Sequence, residues 1–290
     1  MAAIVNIVNA FVDGGRGGNP AGVVLDADGL SAQQKQAIAR LAGLSETAFV
    51  SSSKVAGVKL EFFTPSRQIA HCGHATIASF ALLSQRGLVS GSESSKETID
   101  GTRRIVLRGE QAFMEQRAPT YIDEADFPPE VTGARILASL GVGPADVVAS
   151  PCVAGTGNRF VLVHVRSRAV LATLAPDMGE IALVSEAFGA VGYYVFATDD
   201  PGFAATARMF GPAYGIEEEA ATGMAAGPLA CYLYDRVGVR ETSMLIRQGA
   251  FMREPSPSRI AVELRLEEGR IAGLYAGGSA RVVSALNVVV

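Results

Sequence analysis

Two histidines, a cysteine and a glycine stand close together in residues 69–76, which read IAHCGHAT. They follow an extended segment and precede an apolar, alanine-rich run, so the sequence predicts that a helix begins here. The first turn of a helix offers free N–H groups and a partial positive potential, and Gly73 would let an anion approach them closely. His74 could bind that anion or move a proton, because imidazole titrates near neutral pH. In the alternative interpretation, His71 and His74 only cap the helix.

A second segment, residues 217–224, has the same layout. Acidic residues that end in Glu219 lead through Thr222 and Gly223 into another alanine-rich helical run. We call residues 69–76 the first motif and residues 217–224 the second motif. One predicted anion site in each half of the chain indicates a pseudo-symmetric protein with its substrate held between the halves.

The carboxylate of Glu46 is a further candidate. Glu46 begins a predicted strand whose other residues are apolar or small. Burial disfavours the ionised form, so we expect the pKa of Glu46 to be raised toward values that suit proton transfer near neutral pH. The alternative is an exposed glutamate at the start of a strand, which is the more common environment for this residue type.

Composition limits the class of protein. A chain of 290 residues with 49% hydrophobic content is long enough for two domains, and a net charge of -4 without a basic run argues against nucleic-acid binding. No apolar run approaches the roughly 18 to 20 residues of a membrane helix, and the N-terminus has no cationic leader. The three cysteines are widely spaced, which predicts neither a disulfide framework nor a zinc site. These features predict a soluble, cytoplasmic protein.

The pattern of elements is that of an α+β protein, with many short strands and few helices. Ser31 is a predicted N-cap for a helix that runs to about Ala42 and stops at Gly43. Residues 89–102 are polar and rich in serine and glycine, which predicts a surface hairpin or loop. Residues 119–129 are acidic and contain prolines, and we interpret them as the linker between two domains.

Taken together, these segments resemble the phenazine-biosynthesis PhzF-like family over nearly the full chain. The resemblance rests on separated motifs that occur in the family's order: GNPAGVV at 18–24, LSETAF at 44–49, FFTP at 62–65 with CGHAT at 72–76, and ATG at 221–223 with AAG at 225–227. It implies the diaminopimelate epimerase-like fold, in which two similar domains each wrap a mostly antiparallel sheet around a central helix. It also implies an active site in the cleft between the domains, no metal or organic cofactor, and a homodimer.

On this basis we predict an N-terminal domain at residues 1–118 and a C-terminal domain at residues 128–280. In the epimerase fold a terminal strand crosses back to the first domain. Residues 281–290 have the β-branched character to do so.

The resemblance also assigns roles to individual residues. The family's catalytic glutamate, which moves a proton between carbons of a dihydro-hydroxyanthranilate, maps onto Glu46, with His74 and Glu219 expected to assist. The predicted substrate contacts are Asn19, Cys72, Gly73, Thr222, Gly223 and Met224.

The second motif departs from the family pattern. Where the family usually has Asp-Pro-Ala-Thr-Gly-Ser, residues 219–224 read EAATGM. Glu219 keeps the charge but shifts the carboxylate by roughly an ångström, a misplacement that can cost rate. Met224 replaces a hydroxyl with apolar bulk. These departures put the phenazine precursor in doubt as the substrate.

Three functional hypotheses follow. The first is a cofactor-independent isomerase that acts on a small cyclic or amino-acid-like carboxylate. The second is a protein that binds a small acid, or a partner, without turning it over. The third is a racemase or epimerase that uses Cys72. The related epimerases use two cysteines, and the second cysteine position is Ala220 here.

Overall fold

The computed structural model describes residues 2–290 and divides them into two compact units. The first unit comprises the chain through Glu115 together with Gly277–Val290, and the second comprises Gln116–Ala276. Both boundaries, at 115/116 and 276/277, fall inside strands.

The first unit is a sheet with two helices. Its strands are β1 (Ala2–Ala10), β2 (Asn19–Val24), β3 (Thr47–Ser51), β4 (Val58–Phe63), β5 (Gln68–Ile69), β6 (Glu93–Thr98), β7 (Gly101–Arg108), most of β8 (Gln111–Arg117) and the last part of β17 (Arg270–Val289). Its helices are α1 (Ala32–Ala42) and α2 (Gly73–Gln85).

The second unit has a similar composition of elements. Its complete strands are β9 (Thr120–Ile122), β10 (Cys152–Gly155), β11 (Arg159–His164), β12 (Ala190–Ala197), β13 (Ala205–Gly211), β14 (Ile216–Glu219), β15 (Ser243–Gln248) and β16 (Ser258–Glu267). Its helices are α3 (Gly133–Ala138), α4 (Arg168–Ala172), α5 (Met178–Phe188) and α6 (Gly223–Tyr232).

Strand pairing confirms the pseudo-symmetry that the two motifs predicted. In the first unit β2 pairs parallel with β3, and β3 pairs antiparallel with β4. Strand β4 then pairs antiparallel with β5 and parallel with β6. Finally, β6 pairs antiparallel with β7. In the second unit β11 to β16 repeat these pairings in the same order. Helix α2 follows β5, and α6 follows the equivalent strand β14. Each motif therefore occupies the same place in its own unit.

The helix that follows each motif is central to its unit. Residues 74–83 of α2 are all buried, and in α6 every residue except Met224 is buried. A helix that is apolar on every face has no side to present to water, so the sheet must surround it. The α+β class and the epimerase-like architecture expected from the sequence are correct.

Of two local expectations, one is confirmed and one was wrong. Residues 89–102 hold a hairpin, because β6 lies within them and pairs antiparallel with β7, as well as parallel with β4. Residues 119–129 are not a linker, because β9 pairs with β10 inside the second unit.

The chain from Gly277 to Val290 belongs to the first unit, where β17 pairs antiparallel with β1 from Ala10↔Ala280 to Ala2↔Val289.

The helix over 32–42 has the predicted boundaries. Ser31 and Gln34 form a capping box, and Gly43 ends the helix in the left-handed region at φ 66°. Within the described residues, no helix is both long and apolar enough to span a lipid bilayer.

Candidate active site

Helix α2 begins at Gly73, within the first motif, and its N-terminus has no side-chain cap. Cys72 is the N-cap residue in an extended conformation, but its side chain makes no capping hydrogen bond. Instead, Thr76 binds back to the cap, because its hydroxyl donates to the Cys72 carbonyl oxygen at 2.6 Å. This hydrogen bond fixes the backbone of the first turn. The Cys72 sulfur faces the N–H of Ala75, but sulfur is a much weaker acceptor than a capping oxygen.

The N-terminus of α6, in the second unit, also lacks a side-chain cap. Its N-cap residue Thr222 makes no capping hydrogen bond through its side chain. Each of the other four α-helices of residues 2–290 has a side-chain cap, and these caps are Ser31, Thr132, Ser167 and Asp177. The two motifs therefore share a property that distinguishes them from the other α-helix starts in the described chain, and an uncapped helix start can bind an anion.

Glu46 immediately precedes β3, and the neighbouring strand fixes its backbone. The N–H of Gly22 in β2 donates to the Glu46 carbonyl oxygen at 3.0 Å. A Cβ at position 22 would lie 2.8 Å from Oγ1 of Thr47, so only glycine allows the two strands to pair this closely. Glu46 is buried, which agrees with the first of the two interpretations of the sequence and excludes the exposed one.

The first unit brings Glu46, Cys72 and His74 together. His74 Nε2 lies 3.2 Å from Glu46 Oε2. The Cys72 sulfur lies 3.6 Å from Nδ1 and 3.9 Å from Nε2 of the same imidazole. The three residues are nearly fully buried, with exposed fractions of 8% or less. A carboxylate, an imidazole and a thiol in direct contact form a group that can hold and move protons.

The pKa of Glu46 differs from the expectation. Burial, the largest influence, raises the pKa, but the charge of His74 and hydrogen bonds from His74 and Ser45 together outweigh it, so the pKa lies below its ordinary value. The prediction of a raised pKa was wrong because it considered burial without the neighbouring imidazole. The carboxylate is consequently ionised at neutral pH and is prepared to accept a proton.

The pKa of Cys72 is shifted in the opposite direction from that of Glu46. Burial raises the pKa of its thiol, although the charge of His74 and the backbone N–H of Ala75 favour the thiolate. A protonated thiol is a poor base and a poor nucleophile. Within this cluster, Glu46 is therefore better suited than Cys72 to take a proton from a substrate.

A second buried network lies directly behind the first motif. Lys96 Nζ donates to Thr76 Oγ1 at 2.8 Å and lies 3.1 Å from His71 Nδ1. Burial, together with the charges of Lys96 and Arg103, lowers the pKa of His71 well below its ordinary value, so its ring is neutral. His71 is thus a partner of Lys96, and the histidine beside the carboxylate is His74 alone.

In the second unit, Glu219 and Thr222 contact each other. The Thr222 hydroxyl donates to Glu219 Oε2 at 3.2 Å. Gln248 holds both: its Nε2 donates to the Glu219 carbonyl oxygen at 2.6 Å and to Thr222 Oγ1 at 3.1 Å, while its Oε1 accepts from the Thr222 N–H at 3.0 Å. Tyr194 completes the arrangement by donating to the same Oε1 at 2.9 Å.

The start of α6 is supported from the side of β8. Gln116 donates to the Gly223 carbonyl oxygen at 3.0 Å and accepts from the Thr156 hydroxyl at 2.6 Å. Met224 is half-buried, and its sulfur lies 3.9 Å from the Asn158 amide nitrogen.

The structure therefore divides the predicted site residues. Glu46, Cys72 and His74 form one cluster with Gly73 beside it, and Glu219, Thr222, Gly223 and Met224 line the start of α6. Asn19 is the first residue of β2 and is buried, and its predicted contact with substrate stays a prediction. Sequence analysis missed Gln248 and Lys96, which follow no motif and reach the site only through strand pairing.

The fold and the site together define the class of protein. Residues 8–285 match the family described as phenazine biosynthesis-like protein, and the chain belongs to this family.

Two relatives and one solved structure show the extent of the similarity. The chain is 33% identical to the uncharacterized isomerase YddE of Salmonella typhimurium, over 78% of this chain and 77% of that protein. It is 34% identical to the trans-2,3-dihydro-3-hydroxyanthranilate isomerase of Pseudomonas chlororaphis, over 78% of each chain. A crystal structure of the PhzF-family phenazine biosynthesis protein of Bacillus anthracis superimposes with a TM-score of 0.89 at 26% identity and covers 100% of both chains.

Proposed function

We propose that this protein is a cofactor-independent isomerase that moves a proton between two carbons of a small cyclic or amino-acid-like carboxylate. Its family membership and its relatives, which are named isomerases, support the reaction class. The observation that carries the assignment of residues is the contact between His74 Nε2 and Glu46 Oε2 at 3.2 Å, in surroundings that exclude most water.

Glu46 is the general acid and base in this proposal. Its ionised carboxylate removes a proton from one carbon of the substrate and returns it to another, so one residue performs both halves of the isomerisation. His74 stays within contact distance throughout and stabilises the carboxylate in its charged form.

The N-terminus of α2 supplies the electrostatic part of catalysis. Removal of a proton beside a carboxylate leaves negative charge on the substrate, and free N–H groups at a helix start stabilise such charge. Gly73 contributes no side chain that would keep an anion from this backbone. In the second unit the same argument assigns carboxylate binding to Thr222 and Gly223, with Glu219 held beside them.

A racemase that depends on Cys72 is a weaker candidate. Its favourable observation is that the thiol lies 3.6 Å from His74, which could deprotonate it. However, burial raises the pKa of the thiol, and Ala220 cannot act as a second thiol. We therefore assign transfer of the substrate proton to the Glu46 carboxylate and not to the Cys72 thiol.

Turnover by matched variants tests the proposal. Glu46→Gln keeps the size of the side chain and removes the base, and Glu97→Gln is its control because Glu97 is a carboxylate of the same unit that accepts from Ser53. On any substrate that the wild type converts, we expect Glu46→Gln to lose at least about 1,000-fold in kcat and Glu97→Gln to stay within a few-fold of wild type. Equal activity of both variants would remove Glu46 from the mechanism.

A further inference from the structure

Glu46, Cys72 and His74 offer an oxygen, a sulfur and a nitrogen donor at one place. One ligand atom from each residue lies within 4.8 Å of the other two, and no other three-residue group of this kind occurs in the described part of the chain. We propose that these three residues form a binding site for a zinc-class divalent cation, and that the bound cation switches off proton transfer by Glu46.

The spacing of the donors agrees with tetrahedral coordination. Zinc bonds of about 2.3 Å to sulfur and about 2.0 to 2.1 Å to nitrogen or oxygen place neighbouring ligand atoms roughly 3.4 to 3.6 Å apart. The observed separations are 3.9 Å from the Cys72 sulfur to His74 Nε2 and 3.2 Å from His74 Nε2 to Glu46 Oε2. Small side-chain rotations are enough to bring all three atoms to one ion.

The chemistry of the donors selects the type of ion. Thiolate and imidazole favour zinc and cobalt, whereas magnesium and calcium require a shell of oxygen atoms. Binding displaces two protons to solvent, one from the Cys72 thiol and one from His74 Nε2, so two anionic ligands and one neutral imidazole would face a doubly charged cation. The buried complex would then carry no net charge, which reduces the cost of placing the ion in apolar surroundings.

Burial disfavours the Cys72 thiolate, but the position of Cys72 at a helix start offsets part of that cost. Cys72 is the N-cap of α2, and the positive end of a helix stabilises a thiolate. Three protein ligands leave a fourth position for water, as in zinc sites that exchange ligands. The Glu46 side chain is 10% exposed, while its Oε2 atom is itself buried within the cluster.

Cation binding and proton transfer compete for the same atom. Once Glu46 Oε2 is bound to a cation, its lone pair is no longer available to a substrate proton. The inhibitory effect rests on the proposed function, but the existence of the metal site does not. The two claims can therefore fail separately.

Cobalt titration of the purified protein tests the site without any substrate. Tetrahedral cobalt has characteristic visible absorption, and a cobalt–thiolate bond adds a charge-transfer band in the near ultraviolet. We expect both signals to saturate at one equivalent and to disappear when zinc is added. Cys72→Ser should lose the charge-transfer band, whereas the control Cys152→Ser, which removes another buried cysteine, should keep it.

Affinity measurements with a chromophoric chelator complete the test. Losing a direct ligand in Cys72→Ser or His74→Asn should weaken zinc binding by more than about 100-fold, since the loss of even a hydrogen bond to a ligand costs 10- to 100-fold. The control His71→Asn should bind as wild type does. A charge-transfer band that survives in Cys72→Ser, or no band in the wild type, would overturn the site. Full binding without inhibition would retain the site and count against the role of Glu46.

Discussion

The buried lysine behind the first motif gives a prediction that can be worked through in numbers. Lys96 is 0% exposed and contacts His71, Thr76 and the ring of Phe62. Burial is the main cause that lowers its pKa from 10.5 to about 7, and the charge of Arg103 acts in the same direction. Lys96→Met keeps the length and apolar volume of the side chain while removing the ionisable group.

The sign of the effect follows from proton binding. Between about pH 7 and pH 9 the unfolded chain holds the Lys96 proton while the folded protein has mostly released it, so the free energy of unfolding rises with pH. With a folded pKa of about 7, integration over this interval gives a contribution of about 2 kcal/mol. Lys96→Met should lack this contribution.

Urea unfolding at a series of pH values measures the effect. Circular dichroism is the suitable signal, because the chain contains 0 tryptophans. The difference between wild type and Lys96→Met isolates the lysine, since the buried cysteines titrate in both proteins. That difference should grow in favour of the wild type by about 2 kcal/mol from about pH 7 to pH 9. Lys54→Met, at an exposed lysine, is the control and should give a curve parallel to wild type.

Two results would refute this reasoning. If the wild-type and Lys96→Met curves stay parallel, burial does not shift the lysine. If the difference shrinks as pH rises, Lys96 is charged and stabilised in the folded protein, which reverses the sign of the argument.

Three further predictions concern the helix starts. Gly227→Ala should destabilise the second unit by about 1 to 3 kcal/mol in urea unfolding, because the new Cβ would lie 2.2 Å from Gln116 Oε1, which accepts a hydrogen bond from Thr156. The control Gly29→Ala places its Cβ in open space and should change the free energy of unfolding little. Gln248→Leu should lower the free energy of unfolding by about 3 kcal/mol, because it removes all four hydrogen bonds described above, and an unchanged melting curve would contradict this. Iodoacetamide should modify Cys72 slowly at neutral pH, as followed by mass spectrometry, because burial raises the pKa of its thiol; rapid modification would favour the racemase hypothesis.

The features that local sequence signals determine could be predicted. The capping box at Ser31 and the left-handed glycine at Gly43 act within one helix, so residues 31–43 were sufficient to place it. The two helix starts were likewise visible as glycine-containing motifs before apolar runs. Their repetition predicted the two pseudo-symmetric units.

Features that depend on contacts between distant residues could not be predicted. The polar run that contains Lys96 predicts a surface hairpin or loop, and it does form a hairpin with β7. Its further pairing with β4 and the burial of the lysine have no local signal. The pKa of Glu46 depends on His74, whose proximity arises only in the folded sheet. Gln248 comes to the second motif from β15, and no residue near it in sequence indicates that role.

Solvent-deuterium exchange tests the central claim most directly. Wild type, Glu46→Gln and Glu97→Gln would be incubated in heavy water with cyclic dienyl carboxylates and α-amino acids, and the substrates' gain in mass would be measured. We predict that the wild type and Glu97→Gln introduce deuterium at carbon into at least one compound and that Glu46→Gln does not. Exchange that persists in Glu46→Gln but stops on alkylation of Cys72 would contradict the assignment and place the proton on the thiol.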